Sequence, residues 1–387
     1  MPRRSPLFSL SAMTRAYKRQ LKVLVRATKP AKPPRTKSRA ASSPRSKTGT
    51  PVKASVSPHV ATPKKAVTPA KAPRKTAQPA DAPGDWVSGV APGPAGARRF
   101  RLYKPGSALL QPGEKVPLLV MLHGCGQTGL ELAAVSRMNR LAARAGFWVL
   151  YPEQERVANA HRCWNWFEQR NGKAQAEAAT LLAAVDHVAR RQPVDLTRVA
   201  VAGLSAGATM AAWMAACYPS RFCAVAMHSG AAVGTAASAA TALSAMRGRR
   251  PAHLPEPHNT APATVAPQAV RGALTPVRLP PLLVLHGVAD AVVSERNASA
   301  SATLWAQALG ARPGPPRNVQ RGNRHLTRVT EFKVRGRSVV VLREVSGLAH
   351  AWSGGAAGHA YSDPAGPDAS ALIWAFVARQ FPSAAAA

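Results

Sequence analysis

Short apolar runs alternate with amphipathic stretches from about residue 96 onward. The runs have the length of buried strands, and the stretches between them have the spacing of helices. This alternation is typical of a mainly parallel sheet covered by helices, so we expect one α/β domain. The runs predict strands at 116–122, 147–151, 199–202, 222–227, 282–285 and 339–342, and the stretches predict helices at 130–145, 174–190, 206–217, 297–309 and 368–379.

Two segments depart from this pattern. Residues 231–280 are rich in Ala, Pro, Thr and Arg and have no clear period, which predicts a low-complexity insertion. A connection of this length is usually a functional element such as a lid, or disordered, and its Pro and Ala content favours disorder.

Residues 1–80 carry twenty of the 52 Lys and Arg residues and no Asp or Glu. That composition predicts a disordered basic tail over 1–85, followed by a folded domain at 86–387.

The formal net charge of +35 raises the question of an anionic partner. Lys/Pro/Ala tails can neutralise phosphates without reading a sequence, so the tail predicts nonspecific binding to nucleic acid or to an anionic surface. A solvated linker is the alternative. Within the tail, residues 8–28 approximate one apolar face, and we favour a weakly helical piece of tail over a surface-docking helix. We find no apolar run long enough to cross a bilayer and no secretory signal peptide.

Ser205 lies at the centre of a Gly-x-Ser-x-Gly motif that spans residues 203–207. The chain contains 28 glycines, so the motif alone is weak evidence. Its context is more specific, since a predicted strand at 199–202 precedes it and a predicted helix at 206–217 follows it. This strand, turn and helix predict the nucleophile elbow of the α/β-hydrolase fold, with the serine exposed at the carboxyl edge of the sheet.

A serine hydroxyl requires a base that accepts its proton and a carboxylate that orients the base. In the α/β-hydrolase fold these groups follow the serine in the order acid, then histidine. Asp290, just beyond the 282–285 strand, and His350, in the loop after the 339–342 strand, satisfy this order. We therefore predict Ser205, Asp290 and His350 as the triad, with Glu295 as the reserve for the acid.

Other histidines and acids after the motif fit these roles less well. Asp363 precedes a proline and predicts a turn, and Asp368 stands where a helix cap is expected. His359 also follows the serine. We expect His286 to brace the loop that carries Asp290, and His228 to be a partly buried strand residue.

An oxyanion hole requires two backbone N–H groups, one from the residue after the nucleophile and one from the loop after an early strand. Ala206 supplies the first. The glycine-rich segment 123–127 follows the 116–122 strand and supplies the second, which we assign to Cys125. An ordinary glycine-rich turn is the alternative for this segment.

With these residues placed, the chain resembles the polyhydroxybutyrate depolymerase family of esterases, relatives of feruloyl and acetylxylan esterases, over about residues 97–380. Five motifs in the family's order are far more specific than the elbow alone. They are Leu122-His123-Gly124-Cys125-Gly126-Gln127, Cys163-Trp164-Asn165-Trp166-Phe167, Gly203-Leu204-Ser205-Ala206-Gly207, His286-Gly287-Val288-Ala289-Asp290 and His350-Ala351-Trp352-Ser353-Gly354-Gly355.

The resemblance implies a serine esterase that acts through an acyl-enzyme on poly(3-hydroxybutyrate) or its oligomers, with a feruloyl or acetylxylan ester as the alternative. It implies the same triad and oxyanion amides, and we expect no cofactor and no metal. It also implies that Trp164 and Trp166 border the substrate cleft. The residues themselves favour the same interpretation, because two tryptophans that flank an asparagine in a polar loop are more typical of a binding wall than of a core.

Four cysteines permit two disulfides, although buried free thiols explain the number equally well. The resemblance implies the pairs Cys125–Cys163 and Cys217–Cys223. It also implies an extracellular protein, whereas the absence of a visible signal peptide favours a cytoplasmic, granule-associated one. The chain departs from the family at Ala349, where members usually have a glycine, and in the basic tail and the 231–280 segment.

Overall fold

The computed structural model describes residues 82–106, 113–258 and 278–382. Within them an eleven-stranded sheet and a separate two-stranded sheet, β12 and β13, form the β structure. The strands are β1 Gly84–Ala91, β2 Arg98–Pro105, β3 Val116–Leu122, β4 Trp148–Pro152, β5 Val194–Leu204, β6 Ala224–His228, β7 Leu282–Gly287, β8 Arg312–Pro313, β9 Arg317–Val319, β10 Thr327–Val334, β11 Arg337–Val345, β12 Trp352–Ser353 and β13 Ser362–Asp363.

The large sheet has the order β1-β2-β4-β3-β5-β6-β7-β11-β10-β8, and β9 also pairs with β10. Its six central strands, from β4 to β11, are parallel, and the strands at both edges are antiparallel. The α/β prediction is confirmed, and all six predicted strands belong to the parallel part. The antiparallel edge strands carry more charge and lack a continuous apolar run, and the sequence pattern did not predict them.

Seven α-helices lie in the described residues. They are α1 Gly129–Ser136, α2 Met138–Ala145, α3 Lys173–Ala189, α4 Ala206–Cys217, α5 Ala239–Met246, α6 Arg296–Leu309 and α7 Ala369–Ala378. The helix predicted over 130–145 is divided in two at Arg137, whose φ of 54° lies in the left-handed region. None of the described helices is both long and apolar enough to span a bilayer.

The core lies on both faces of the sheet. Every residue of β3 is buried, which is the pattern of a parallel strand covered on both sides. Leu118 and Val120 pack on the face covered by α3, α4 and α6, and Leu119 and Met121 pack on the face covered by α1, α2 and α7. All twelve residues of α4 are buried, so the helix that follows Ser205 is fixed inside the domain.

The segment predicted as a low-complexity insertion is ordered over residues 231–258, so the expectation of disorder there is wrong. Ala231, Ala232 and Val233 are buried in the core, and α5 follows them. Small side chains pack closely without a helical or strand period, which is why the hydrophobic pattern did not reveal them. The rest of that segment, residues 259–277, lies outside the described residues.

The basic tail and the helix expected at 8–28 also lie outside the described residues, which begin at residue 82. β1 begins at Gly84, so residues 84 and 85, the last two of the segment predicted as tail, belong to the first strand. It pairs along its whole length with β2, from Gly84 opposite Pro105 to Ala91 opposite Arg98.

Candidate active site

Ser205 occupies a sharp turn between β5 and α4. Its φ of 57° and ψ of −120° are unfavourable for a residue with a side chain. The turn is held on both sides, because the Ser205 N–H donates to the His228 carbonyl at 2.8 Å and the Ser205 carbonyl accepts from Ala208 N–H at 3.0 Å. The side chain is half-buried, at the carboxyl edge of the sheet. This is the strand, turn and helix that the motif predicts.

The two glycines of the motif allow the turn to pack. A Cβ added to Gly207 would lie 2.1 Å from the Leu122 carbonyl oxygen, and one added to Gly203 would lie 2.4 Å from the Gly207 carbonyl carbon. Both distances are too short for any side chain. The glycines therefore let β5, α4 and the end of β3 approach one another behind Ser205.

Asp290 and His350 are joined directly. The His350 Nδ1 lies 2.7 Å from Asp290 Oδ2. A carboxylate can only accept, so His350 Nδ1 carries the proton and Nε2 is left as the basic nitrogen. Asp290 Oδ1 accepts from the N–H groups of Val292 and Val293, each at 2.9 Å. The carboxylate is thus fixed at both oxygens.

Asp290 is held in its ionised form although its side chain is fully buried. Burial alone would raise its pKa. The hydrogen bond from His350, the influence of His350 and His286, and the Val293 N–H together hold the pKa below its ordinary value. The carboxylate therefore stays negatively charged beside the His350 imidazole.

His286 braces the loop that carries Asp290, as its position predicts. Its Nε2 donates to the Val293 carbonyl at 2.8 Å and lies 3.5 Å from Asp290 Oδ2. Burial lowers the pKa of His286, so the ring is neutral at neutral pH. Its Nδ1 has no hydrogen-bond partner in the described part of the chain.

The other candidates have roles elsewhere. Glu295 lies exposed before α6. Asp363 pairs with His325 at 3.0 Å, and Asp368 caps α7 by accepting from the Ala371 N–H at 3.0 Å. His359 is exposed. The positions of Asp363 and Asp368 agree with the turn and the cap that the sequence predicts.

Ser205, Asp290 and His350 follow β5, β7 and β11, respectively. The order β5-β6-β7-β11 brings the carboxyl ends of these strands to one edge of the sheet. No hydrogen bond joins Ser205 to His350 within the described residues. In unliganded enzymes such a bond is often long and forms only with substrate present.

The loop after β3 lies against the elbow. A Cβ on Gly124 would be 3.6 Å from the Ser205 Cβ. The Gln127 side chain folds the loop by accepting from the Gly124 N–H at 2.9 Å, and Gly126 N–H donates to the His161 carbonyl at 2.9 Å. No hydrogen bond within the described residues uses the N–H of Cys125 or that of Ala206.

A disulfide between Cys125 and Cys163 ties this loop to the segment before Trp164. The second expected pair, Cys217–Cys223, is wrong, since both thiols are free. Cys217 packs on the α4 face of the sheet and Cys223 on the opposite face, so the sheet separates them. Burial raises the pKa of each thiol to about 12.

Trp164 and Trp166 do not form an exposed wall, and the expectation that they border a cleft is wrong. Trp164 is 0% exposed and Trp166 is 4% exposed. The Trp164 indole N–H donates to the His123 carbonyl at 2.9 Å. Trp164 therefore supports the loop after β3 from behind, and Trp166 packs in the core beside Phe167.

Glu177 organises this region, and the sequence analysis missed it. Its carboxylate accepts from the Asn165 N–H at 2.5 Å and from the Gln154 side chain at 2.6 Å, and it pairs with Arg98 at 3.2 Å. Gln154 in turn donates to the Cys163 carbonyl at 2.9 Å. The sequence did carry one signal for this role. Glu177 lies on the apolar face of α3, and a glutamate at such a position requires buried hydrogen-bond partners.

Two buried neutral histidines also support the loops around the site. His123 Nε2 accepts from the Gln154 N–H at 3.1 Å, and His228 Nε2 accepts from the Ser353 N–H at 3.1 Å. Burial is the main cause that lowers the pKa of His123 to about 4 and that of His228 to about 3. His228 thus links the elbow, through its carbonyl, to the loop that follows His350.

Ala349 fits its position without strain. It does not belong to the residues with positive φ, so the loop before His350 does not require the glycine usual in the resembled family. No cluster of three or more His, Cys, Asp or Glu side chains suited to a metal ion occurs in the described residues.

Comparison with known proteins identifies the family of the chain. The family model described as Esterase PHB depolymerase matches residues 99–311, more than half of the chain. Poly(3-hydroxyalkanoate) depolymerase C of Paucimonas lemoignei is 39% identical over 131 residues, which cover 34% of this chain and 31% of that protein. Feruloyl esterase B of Neurospora crassa is 29% identical over 220 residues, 55% of this chain and 70% of that protein.

Among solved structures, an acetyl xylan esterase from Aspergillus awamori superposes with a TM-score of 0.52 at 20% identity. The superposition covers 69% of this chain and 94% of that chain. At this identity the likeness shows the fold, an α/β-hydrolase fold. The match to depolymerase C spans about a third of that protein's length.

Proposed function

The chain belongs to the Esterase PHB depolymerase family, and from this premise we propose that it is a serine esterase that hydrolyses carboxylic esters through an acyl-enzyme. The observation that carries the proposal is the 2.7 Å hydrogen bond between His350 and the buried carboxylate of Asp290, at the same sheet edge as the Ser205 elbow. A base oriented in this way is what a serine nucleophile requires.

In the proposed reaction, His350 Nε2 accepts the proton of Ser205 while Oγ forms a bond to the ester carbonyl carbon. The negative charge on the carbonyl oxygen is met by the N–H groups of Cys125 and Ala206. The carbon–oxygen bond to the alcohol then breaks, and His350 returns its proton to the departing oxygen. Water attacks the acyl-enzyme by the same route and releases the acid and free Ser205.

The hydrogen bonds and the disulfide around the site support this assignment. Asp290 accepts two backbone N–H groups in addition to His350, so it holds the imidazole in one orientation. The Cys125–Cys163 disulfide and the Gln127 side chain fix the loop that carries the Cys125 amide, and Gly124 of this loop lies beside Ser205. Fixed donors of this kind stabilise a developing charge without reorganising.

We propose poly(3-hydroxybutyrate) or its oligomers as the substrate, with a feruloyl or acetylxylan ester as the alternative. The family match and the similarity to depolymerase C support the first, and the similarity to feruloyl esterase B supports the second. Hydrolysis rates on polyhydroxybutyrate film, hydroxybutyrate oligomers, methyl ferulate and acetylated xylan distinguish these substrates directly.

A fluorophosphonate probe tests the mechanism. The probe forms a covalent bond only with an activated serine, so one label per chain is expected, on the peptide that contains Ser205. Ser205→Ala should abolish labelling, and Ser88→Ala, at an exposed position on β1, should leave it unchanged. Labelling that persists at full extent in Ser205→Ala would refute the assignment.

We further propose that residues 1–80 bind nucleic acid through its phosphates. Twenty Lys and Arg residues without a single Asp or Glu support this, because release of counterions from a polyanion favours such a segment. DNA retention should fall steeply as salt is raised for the full chain and should be weak for residues 82–387. Equal retention by both would leave the tail as a solvated linker.

We propose that the protein works in an oxidising compartment. The Cys125–Cys163 disulfide supports this, because such bonds persist outside the cytosol. Fractionation of the producing cells, with the thiols blocked at lysis, should find the protein outside the cytosol with this bond formed. A reduced, cytosolic protein would contradict the proposal.

A further inference from the structure

His123 is a buried histidine that the mechanism above does not use. It directly follows β3, its side chain is 0% exposed, and its ring packs against Trp164 with 5.1 Å between the ring centroids. The Trp164 indole N–H also donates to the His123 carbonyl at 2.9 Å. The ring therefore has a fixed orientation, and both of its nitrogens must find partners inside the protein.

The two ring nitrogens have opposite roles. Nε2 lies 3.1 Å from the backbone nitrogen of Gln154, whose N–H can only donate, so Nε2 accepts and carries no proton. Nδ1 lies 2.8 Å from the Gly124 carbonyl oxygen, which can only accept, so Nδ1 carries the proton and donates. Burial lowers the pKa of His123 to about 4, so the ring takes up no second proton at neutral pH. His123 is thus a neutral imidazole whose single proton is directed at Gly124.

The residue that determines this tautomer is itself held in place. The Gln154 side chain donates to the Glu177 carboxylate at 2.6 Å and to the Cys163 carbonyl at 2.9 Å. The side chains of Gln154 and Glu177 are both buried. The Glu177 carboxylate is therefore the fixed end of a series of hydrogen bonds that runs through Gln154 to the His123 ring and on to Gly124.

The Gly124 carbonyl belongs to the same peptide group as the Cys125 N–H, which the proposed mechanism assigns to the oxyanion hole. This carbonyl accepts from His123 Nδ1 at 2.8 Å and from the Gln127 N–H at 3.2 Å. In a planar trans peptide the carbonyl and the N–H point in opposite directions, so the Cys125 N–H is directed away from the buried ring. Hydrogen bonds accepted by a carbonyl also polarise the N–H of the same peptide group.

We propose that His123 is a positioning residue for the oxyanion hole, because its Nδ1–H fixes the plane of the Gly124–Cys125 peptide and makes the Cys125 N–H a stronger donor. The inference rests on the proposed esterase function and adds a residue to it. His123 acts through the Cys125 amide and does not touch the substrate. Its effect is therefore expected on kcat, since the oxyanion forms only in the chemical step, and little on KM.

Two substitutions separate the roles of the ring nitrogens. In His123→Asn the amide nitrogen stands near the position of Nδ1 and keeps a donor for Gly124. In His123→Gln the amide oxygen stands near the position of Nε2, so the acceptor for Gln154 is kept and the donor is lost. For p-nitrophenyl butyrate we expect kcat to fall by about 10-fold to 100-fold in His123→Gln and by less than about fivefold in His123→Asn. KM should change by less than about twofold in both variants.

A thionoester distinguishes this role from a general loss of structure. The thionoester of p-nitrophenyl butyrate presents sulfur in place of the carbonyl oxygen, and sulfur is a weak acceptor, so its hydrolysis gains little from the oxyanion amides. The ratio of kcat/KM for the oxygen ester to that for the thionoester should fall by at least about 10-fold in His123→Gln. In His123→Asn the ratio should stay within about threefold of the wild type.

His228→Gln is the matched control. It also removes a buried neutral imidazole and keeps an acceptor near the position of Nε2, here for the Ser353 N–H. Within the described residues, no hydrogen bond joins the His228 ring to the Gly124–Cys125 peptide. The ratio should therefore stay within about twofold of the wild type, whatever the change in kcat. A ratio that falls equally in this control, or that keeps its wild-type value in folded His123→Gln, would overturn the proposal.

Two remaining outcomes are also decisive. If His123→Gln does not fold, a nitrogen NMR spectrum of the wild type, with the ring assigned through the Gly124 amide, locates the proton. A proton on Nδ1 would support the proposal, and one on Nε2 would refute it. If the wild type hydrolyses neither ester, the esterase function is refuted and the positioning role with it, whereas an active wild type with an unaltered ratio in His123→Gln refutes the positioning role alone.

Discussion

Ser205 adopts a backbone conformation that costs of order 1–3 kcal/mol, and the surrounding residues hold it there. Its hydroxyl is thereby presented at the sheet edge instead of turning into α4. Gly203 and Gly207 leave no space for a side chain, so the strained turn and its glycines form one unit. The five-residue motif predicted this turn, because the spacing of its glycines reflects steric limits that act within those residues.

Gly207→Ala tests that steric argument. The added methyl group would lie 2.1 Å from the Leu122 carbonyl oxygen, so we expect a loss of stability of at least about 3 kcal/mol, or no soluble protein. Gly106→Ala is the control, since no atom lies within 4 Å of its added Cβ. Thermal melts of both variants measure the difference, and a Gly207→Ala protein as stable as the wild type would contradict the account.

Asp290 and Glu295 are the two acids that the sequence offers for orienting the base. Only Asp290 contacts His350. Asp290→Asn should lower kcat for p-nitrophenyl butyrate by about 10³ to 10⁴, because the amide no longer favours the required tautomer. Glu295→Gln should leave kcat within about twofold. A large loss in the Glu295 variant together with an active Asp290 variant would reverse the assignment.

Buried partners were harder to predict than the residues in motifs. The sequence favoured a binding wall for Trp164, but its indole N–H satisfies the His123 carbonyl inside the core. Nothing local in the sequence indicates that carbonyl, which lies 41 residues away. Glu177 was missed for the same reason, although its place on an apolar helix face was a usable signal.

At the scale of elements, the loops after β3, β4, β7 and β11 are each fixed by buried contacts. The Cys125–Cys163 disulfide and the Glu177 carboxylate hold the first two, and His286 and His228 hold the others. The parallel strands could be predicted from their continuous apolar runs. The antiparallel edge strands and α5 could not, because short charged or alanine-rich segments gain their order from tertiary contacts.

The cysteines give a prediction at this scale. Denatured protein without reductant should show two thiols per chain, and reduced protein should show four, since Cys217 and Cys223 are free. In the native state both free thiols should react slowly with iodoacetamide, because burial raises the pKa of each to about 12. A native chain with no free thiol after denaturation would contradict this arrangement.

Replacing Cys125 and Cys163 together by alanine should lower the free energy of unfolding by about 4 kcal/mol, because the bond closes a loop of 38 residues. Activity should fall as well, since the Cys125 amide loses its anchor. Cys223→Ala is the control and should preserve activity.

At the scale of the whole molecule, the domain encloses several neutral histidines. Burial lowers the pKa of His123, His228 and His286. A histidine whose pKa is lower in the folded than in the unfolded chain binds its proton more weakly when folded. It contributes stability above pH 6.5 that is lost as pH falls toward the folded pKa.

The protein should therefore lose stability between pH 7 and pH 5.5, before most carboxylates titrate. His123 and His228, with pKa values of about 4 and about 3, should together account for about 2 to 3 kcal/mol. Urea unfolding at four pH values in this window measures the loss. A free energy of unfolding that stays constant from pH 7 to pH 5.5 would contradict it.

The hydrolysis of p-nitrophenyl butyrate by Ser205→Ala tests the central claim most directly. The account predicts that kcat/KM falls by at least about 10³, while the circular dichroism spectrum and the melting temperature stay close to those of the wild type. Undiminished turnover by a folded Ser205→Ala protein would contradict it.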